Sequence, residues 1–365
     1  MTIPSSVRPN PDFENFIDVV VRGKKPERAV PMEYLMDEQI RRDIGVGMLN
    51  QQWAPHDPRS PKDRERYLLN FIEFWYCLGY DYVRWEQSCG FVANWRFGED
   101  TAELSKGQRN WVEEGAGMVT SWEDFEKYPW PDPDKFDYSD FEILASNLPD
   151  GMGFVVSHGG GVFDHAVEDL LGFEGMSYML YDDADLMQAC FDRVGEIILR
   201  FYQNLLEIEG IGLVFQGDDM GFQTSTFLPP DIMKKYVLKW HRLFAELAHA
   251  RGIPYFLHSC GNLNQLIDYL IDEVRIDGRH STEDVIMPVQ QFRGQVYPRI
   301  AALGGVDINV LATADEGQLR RYVSDILDEC MPHGKFAIGS GNSIANYIPT
   351  GNYLTMLDVI HQWRP

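Results

Sequence analysis

The 365-residue sequence predicts one α/β domain folded as a (β/α)8 TIM barrel, because short apolar runs recur along it, most lead into a helix-like stretch, and eight of them can be counted. Alternating strands and helices imply parallel pairing. Eight such units favour a closed barrel over an open doubly wound sheet.

In chain order the expected strands are "AVPMEYL" near 29–35, "YDYVRWEQ" at 80–87, "GFVVSHGGG" at 153–161, "GLVFQGDD" at 212–219, "YFLHSCG" at 255–261, "RIDGRHSTED" at 275–284, "RIAALGGVD" at 299–307 and "KFAIGSGN" at 335–342. Each passes from apolar into polar or glycine-containing residues, and their spacing is too irregular for a solenoid. Between them, "PPDIMKKYVLKWHRLFAELAHARG" at 229–252 starts with proline, repeats apolar residues at three and four spacing and ends in glycine, the marks of an amphipathic helix. "NLNQLIDYLIDEV" at 262–274 reads the same way. Residues 88–152 interrupt the pattern, mixing tryptophan, glycine and proline in "NWRFGED" and "RNWVEEGAGMVTSWEDFEKYPWPDPDKFD". The stretch is too long for an ordinary βα loop and too aromatic for a disordered linker. It is expected to be an ordered lid or hairpin inserted after the second strand, within one domain spanning 1–365.

Composition excludes several partners. With 32 basic against 56 acidic residues the formal charge is −24, which repels nucleic acid and anionic lipid surfaces. Five cysteines, odd in number and mostly far apart, argue against a disulfide framework and for a reducing compartment. The start "MTIPSSVRPNPDFENF" lacks the features of a signal peptide, and no apolar run approaches the roughly 20 residues of a membrane span. The expected location is the cytoplasm.

In such a barrel the strand ends converge on one face, where active sites are built. The residues there are Glu33, Glu86, His158, Asp218 and Asp219, His258 with Cys260, His280 with Glu283 and Asp284, Asp307, and Ser340 with Asn342. Gathering so many polar groups costs free energy unless they bind something. His258 and Cys260 stand at i and i+2, so on a strand they share a face, and Zn²⁺ accepts both imidazole and thiolate. Two buried residues at a strand end are the alternative. "GDDMG" at 217–221 supplies paired carboxylates, as general acid and base or metal ligands, or as a cap or loop salt bridge. "HSTED" at 280–284 sets His280 beside His258, with Glu283 or Asp284 able to cap a turn. The glycine turns "GGVD" and "GSGNS" match no P-loop or dinucleotide fingerprint. "SHGGGVFDH" lacks the Gly-x-Ser-x-Gly elbow of a serine hydrolase.

The stretch from "GDDMGFQTSTFLPPDIM" to "LIDYLIDEV", with "LGGVDINVLATADEGQLRRYVSDIL" and "FAIGSGNSIANYIP", resembles the uroporphyrinogen decarboxylase superfamily, best over 153–362 and more weakly at "KPERAVPMEY". The resemblance implies a single (β/α)8 barrel and leaves two chemistries. True uroporphyrinogen decarboxylases carry an arginine-rich signature around the first strand, where this chain reads "VPMEYLMDEQIRRDIG". Corrinoid-dependent methyltransferases bind zinc through a His-x-Cys at the end of the fifth strand, which His258 and Cys260 match, and through a later cysteine. That later cysteine falls in "GSGNS", where Ser340 and Asn342 stand, while Cys330 precedes the strand. An acid or His280 would complete the ion, giving a harder site suited to oxygen.

The expected function is an O-demethylase component, moving a methyl group from a methoxylated aromatic donor to the cobalt of a separate corrinoid (cobalamin) protein. Asp218, Asp219, His280 and Glu283 are its expected acid/base groups and His258 and Cys260 its zinc ligands. Glu86, Trp85, Phe91, His158 and Asn342 are the expected substrate contacts, with Trp95 also near the ring. A methylcobalamin:thiol methyltransferase and a decarboxylase are the alternatives, the latter marked by Arg84 or Arg279 projecting into the pocket. A non-catalytic corrinoid-binding module would lack metal and a deep pocket.

Overall fold

The computed structural model describes residues 2–56, 60–93, 95–99, 108–112 and 117–365. Its strands are β1 (Tyr82–Gln87), β2 (Trp95–Glu99), β3 (Gln108–Val112), β4 (Gly153–His158), β5 (Ile211–Gly217), β6 (Tyr255–His258), β7 (Gly278–His280), β8 (Ala301–Val306) and β9 (Phe336–Ser340). Seven of them form one parallel sheet in the order β1-β4-β5-β6-β7-β8-β9, while β2 and β3 pair antiparallel as a separate ribbon. Strands β4, β6, β8 and β9 are buried along their whole length, which is why they read as near-continuous apolar runs rather than as alternating ones.

The first expected strand is corrected by the structure. Residues 29–35 make only an isolated parallel bridge, Pro31 to Ile338, with a second at Met36 to Ile344. Position 31 turns its backbone away from β9, and proline offers no N–H there for a ladder on the β1 side. Met32 N–H still donates to the Ile338 carbonyl at 2.8 Å, and Ile338 N–H to that of Val30 at 3.0 Å. Side chains hold the same segment to the opposite edge: Tyr82 Oη donates to the Glu33 carbonyl at 2.9 Å, and Arg84 to that of Tyr34 at 3.2 Å. One short segment therefore touches both edge strands, β1 and β9, which requires the sheet to curl.

Helices cover the outer face. Ser60 caps the helix Pro61–Cys77, whose first residue is the proline. Asp183 caps Ala184–Leu205, which turns Phe191, Val194, Ile198 and Phe201 inward. Burial of each such side chain contributes about 1.5–3 kcal/mol. The helix expected at 229–252 runs as Pro230–Met233, Lys234–Leu238 and Lys239–His249, the middle turn being π-helical.

Residues 88–152 contain the β2–β3 ribbon and the helices Trp122–Lys127 and Ser139–Asn147. Asp140 pairs with Arg64 of the first outer helix, and Phe141 is buried against Phe154 and Phe201. The end of this stretch thus belongs to the helical layer. The remainder of the expected lid, at 94, 100–107 and 113–116, lies outside the described residues, as does the Trp95 side chain. No helix among the described residues is long and apolar enough to cross a membrane.

Candidate active site and metal centre

The strand ends open onto a cavity of about 880 Å³. Its lining includes the carboxyl groups of Asp37, Glu86, Asp164, Asp218, Asp219, Glu283 and Asp307, and no lysine or arginine among the described residues. Parallel strands explain the convergence: β5, β6 and β7 are in register, Gly217 beside His258 and His258 beside His280, so the residues that follow emerge side by side.

At this face Asp219, His258 and Cys260 bring one oxygen, one nitrogen and one sulfur within 4.8 Å of one another. His258 Nε2 lies 3.6 Å from Asp219 Oδ1 and 3.7 Å from Cys260 Sγ. The Cys260 backbone N–H donates to Asp219 Oδ1 at 2.8 Å, and Asn342 Nδ2 donates to Cys260 Sγ at 3.3 Å. Oxygen, nitrogen and sulfur at this separation form a donor set that zinc accepts. Burial, together with the Asp219 charge, pushes the Cys260 thiol up, and burial raises Asp219. His258 is held far below its ordinary value by burial and by His280, so it stays neutral.

Tyr34 lies parallel on the His258 ring at 3.9 Å, with the Arg84 guanidinium 3.8 Å over the Tyr34 ring. His258 Nδ1 is 2.7 Å from His280 Nδ1, and His280 Nε2 is 3.0 Å from the Ser340 carbonyl. Burial depresses His280 to about 3. Ser340 in turn donates from N–H at 3.0 Å and Oγ at 2.6 Å to Glu33, whose carboxyl is raised by burial to about 8.

The two adjacent aspartates differ. Asp218 is buried, and its carboxylate accepts the N–H groups of Phe163 at 2.9 Å and Asp164 at 3.0 Å and meets His241 Nε2 at 2.7 Å. Its oxygens are engaged in tethering the turn after β4. Asp219 is about half exposed and faces the donors. Asp164 is the member sequence reasoning missed, although "GGGVFDH" follows a strand end. Burial and the charges of Asp218 and Asp219 raise it well above the carboxylate range. Across the cavity burial, then Asp307 and Asp219, raise Glu283. Asp307 caps the helix Ile308–Thr313, and Asp284 accepts from Tyr322 Oη at 2.8 Å.

Of the expected substrate contacts, Glu86 and Asn342 line the cavity, and Trp85, Phe91 and His158 do not. On β1 alternate side chains point to opposite faces, so Glu86 reaches the cavity while Trp85 packs outward among His56, Tyr67 and Phe71. His158 is fully buried, accepting from the Cys89 N–H at 3.1 Å and set 3.0 Å from the Gly160 carbonyl. Phe91 stacks on His165 at 4.2 Å. Neither Arg84 nor Arg279 lines this cavity. Arg84 is paired with Glu86 at 2.6 Å and donates to the Tyr34 and Phe215 carbonyls, and Arg279 donates to the Ser281 carbonyl at 2.7 Å.

Comparison with known proteins gives the family. Among solved structures, a methyltransferase from Methanosarcina mazei superposes with a TM-score of 0.66 at 14% identity, covering 95% of this chain and 97% of that one. A putative vitamin-B12 independent methionine synthase from Listeria monocytogenes gives 0.47 at 11% identity (91% and 96% covered), and a B12-independent methionine synthase from Shewanella sp. W3-18-1 gives 0.49 at 8% (93% and 96%). No curated protein matches. The first of these likenesses shows a shared fold. The family model of uroporphyrinogen decarboxylase (URO-D) matches residues 116–363, more than half of the chain, so the chain belongs to the URO-D family.

Proposed function

We propose that this chain is a methyltransferase of the corrinoid-dependent branch, taking the methyl group of a methoxylated, aromatic compound and passing it to the cobalt of a separate corrinoid protein. The observation that carries the reading is the convergence of Asp219, His258 and Cys260 beside a deep cavity lined by acids. It supports a zinc ion held by these three residues, with Asp219 in place of the absent later cysteine. Bound there, zinc would supply Lewis acidity toward the oxygen of the donor.

The chain's own groups support the rest. Breaking the methoxy C–O bond leaves the electron pair on oxygen, and that oxygen needs a proton because an alkoxide or phenoxide is a poor leaving group. Glu283, a lining residue with a raised carboxyl, is the group this reading assigns to donate it. The methyl passes to the corrinoid acceptor, whose electron pair forms the new bond. Leu35, Val285, Ile308 and Tyr347 give the lining its apolar part, suited to a ring. Tyr34 does not serve for stacking, as both of its faces are covered. A decarboxylase holding an acidic substrate would want cations, and the acidic lining disfavours it. The same reading takes residues 30–36 as the eighth stave of a closed barrel, 88–152 as a partial cover of its mouth, and the cytoplasm, where the free thiols stay reduced, as its location.

Elemental analysis of the purified protein beside His258→Ala and Cys260→Ala tests the metal, with about one zinc per chain expected in the wild type and none in either variant. Demethylation of methoxyarenes with a Co(I) corrinoid tests the chemistry. Activity only with methylcobalamin and a thiol would replace the O-demethylase reading by thiol methylation. A metal-free wild type after expression with added zinc would remove the metal reading.

A further inference from the structure

We propose that His280 is a positioning residue: it fixes the tautomer of His258, leaving a bare nitrogen aimed at Asp219 and Cys260. The inference rests on the metal reading above and assigns His280 a role other than acid or base.

The argument follows the hydrogens. A carbonyl oxygen only accepts, so at 3.0 Å from the Ser340 carbonyl the His280 Nε2 must carry a hydrogen. The neutral ring then presents a lone pair at Nδ1. His258 Nδ1 stands 2.7 Å away, a separation that needs a hydrogen between the two nitrogens, and His258 must supply it. Its own Nε2 is thereby left unprotonated, 3.6 Å from Asp219 Oδ1 and 3.7 Å from Cys260 Sγ. Were His258 the other tautomer, Nε2 would point a hydrogen at the donors and two lone pairs would face each other behind it.

The surroundings prevent either ring from turning. A Cβ at Gly304, where φ is +85°, would stand 2.7 Å from His280 Cδ2 and 2.8 Å from Nε2, so the ring occupies space that glycine leaves open. Ser340 is itself tied to Glu33 through N–H and Oγ. Tyr34 lies within 6° of parallel on His258, pressed from behind by Arg84. The chain Glu33, Ser340, His280, His258 thus carries orientation from the first segment and β9 through β7 to β6. Metal-binding histidines commonly donate their second N–H to a carboxylate or carbonyl. Here the acceptor is an imidazole, whose orientation in turn depends on Ser340.

His280→Leu and His280→Asn separate positioning from bulk, because the two replacements are alike in size and only asparagine can accept from His258 Nδ1. With zinc affinity read by chelator competition on variants whose thermal melts show them folded, His280→Leu should bind about 10- to 100-fold more weakly, and His280→Asn should recover most of the loss. Nitrogen-15 NMR of the histidine-labelled, metal-free wild type should show His258 protonated at Nδ1 and His280 at Nε2. Equal affinity in the two variants, or a His258 protonated at Nε2, would overturn the positioning role while leaving the metal site standing. A wild type that binds no zinc would overturn both.

Discussion

Substituting the neighbouring aspartates one at a time should separate folding from metal binding. Asp218 is 1% exposed, and its carboxylate is the acceptor for two backbone N–H groups and the partner of His241, whose other nitrogen meets Tyr255 Oη at 2.8 Å. Asp218→Ala leaves these groups unpaired in a dry interior. At about 1–3 kcal/mol for each of the three orphaned groups, the expected loss is at least about 3 kcal/mol. That is a large share of a typical total of about 5–15 kcal/mol. Asp219, with its side chain 47% exposed, gives up one hydrogen bond from Cys260 N–H beside solvent. Asp219→Ala should cost about 1 kcal/mol or less. The metal response is reversed: Asp219→Ala should lower zinc affinity at least ~10-fold, and Asp218→Asn, which keeps one acceptor oxygen, should stay close to wild type. Urea unfolding at pH 7 with chelator present, followed by far-UV circular dichroism, gives the stabilities. Chelator competition gives the affinities. A well-folded Asp218→Ala losing less than ~1 kcal/mol would refute the tethering role and free Asp218 for chemistry.

Three further outcomes are expected. Burial holds His158 at about 3 and His361 at about 4, so the unfolded chain binds more protons than the folded one below the ordinary value near 6.5. Stability should therefore fall as pH drops below ~6.5, by about 1.4 kcal/mol per unit for each group, and His361→Gln should flatten the slope in urea titrations. Parallel profiles would count against the buried neutral ring. Glu33 acts in the opposite sense, since its carboxyl, raised to about 8, keeps its proton in the fold while the unfolded chain ionises above 4.5. Glu33→Gln should gain on wild type by about 1.4 kcal/mol per unit between pH 5 and 8, and a constant difference would exclude the raised carboxyl. Finally, a Cβ at Gly339 would overlap the Met32 carbonyl oxygen, so Gly339→Ala should cost about 1–3 kcal/mol by prising residues 30–36 from β9. An unchanged melting temperature would show that this segment is not seated there.

Much of the sheet was legible because a strand buried on both faces leaves a local signature: an apolar run closed by polar residues. Six of the seven strands in the main sheet lie within the runs read from the sequence, and β5 starts one residue ahead of its run. "AVPMEYL" shows the limit, for it carries the right side chains while Pro31 has no N–H to offer on the β1 side, and its β9 partner stands some 300 residues further on. Trp85 failed for a different reason. Its place at a strand end suggested the mouth, and only the direction of the β1 pleat decides that Glu86 faces the cavity while Trp85 meets the outer helix.

The sequence by itself determined the parallel α/β order and the presence of His258 and Cys260 two residues apart at one strand end, the histidine closing β6 and the cysteine just beyond it, because both are set by neighbours along the chain. The tertiary structure decided which acid joins them, that Asp218 is occupied by backbone amides while Asp219 is not, and that His280 stands behind His258. Those choices depend on distances between strand ends separated by 20 to 60 residues. Hydrogen-bond direction and burial act across such gaps through space, where local pattern carries no information.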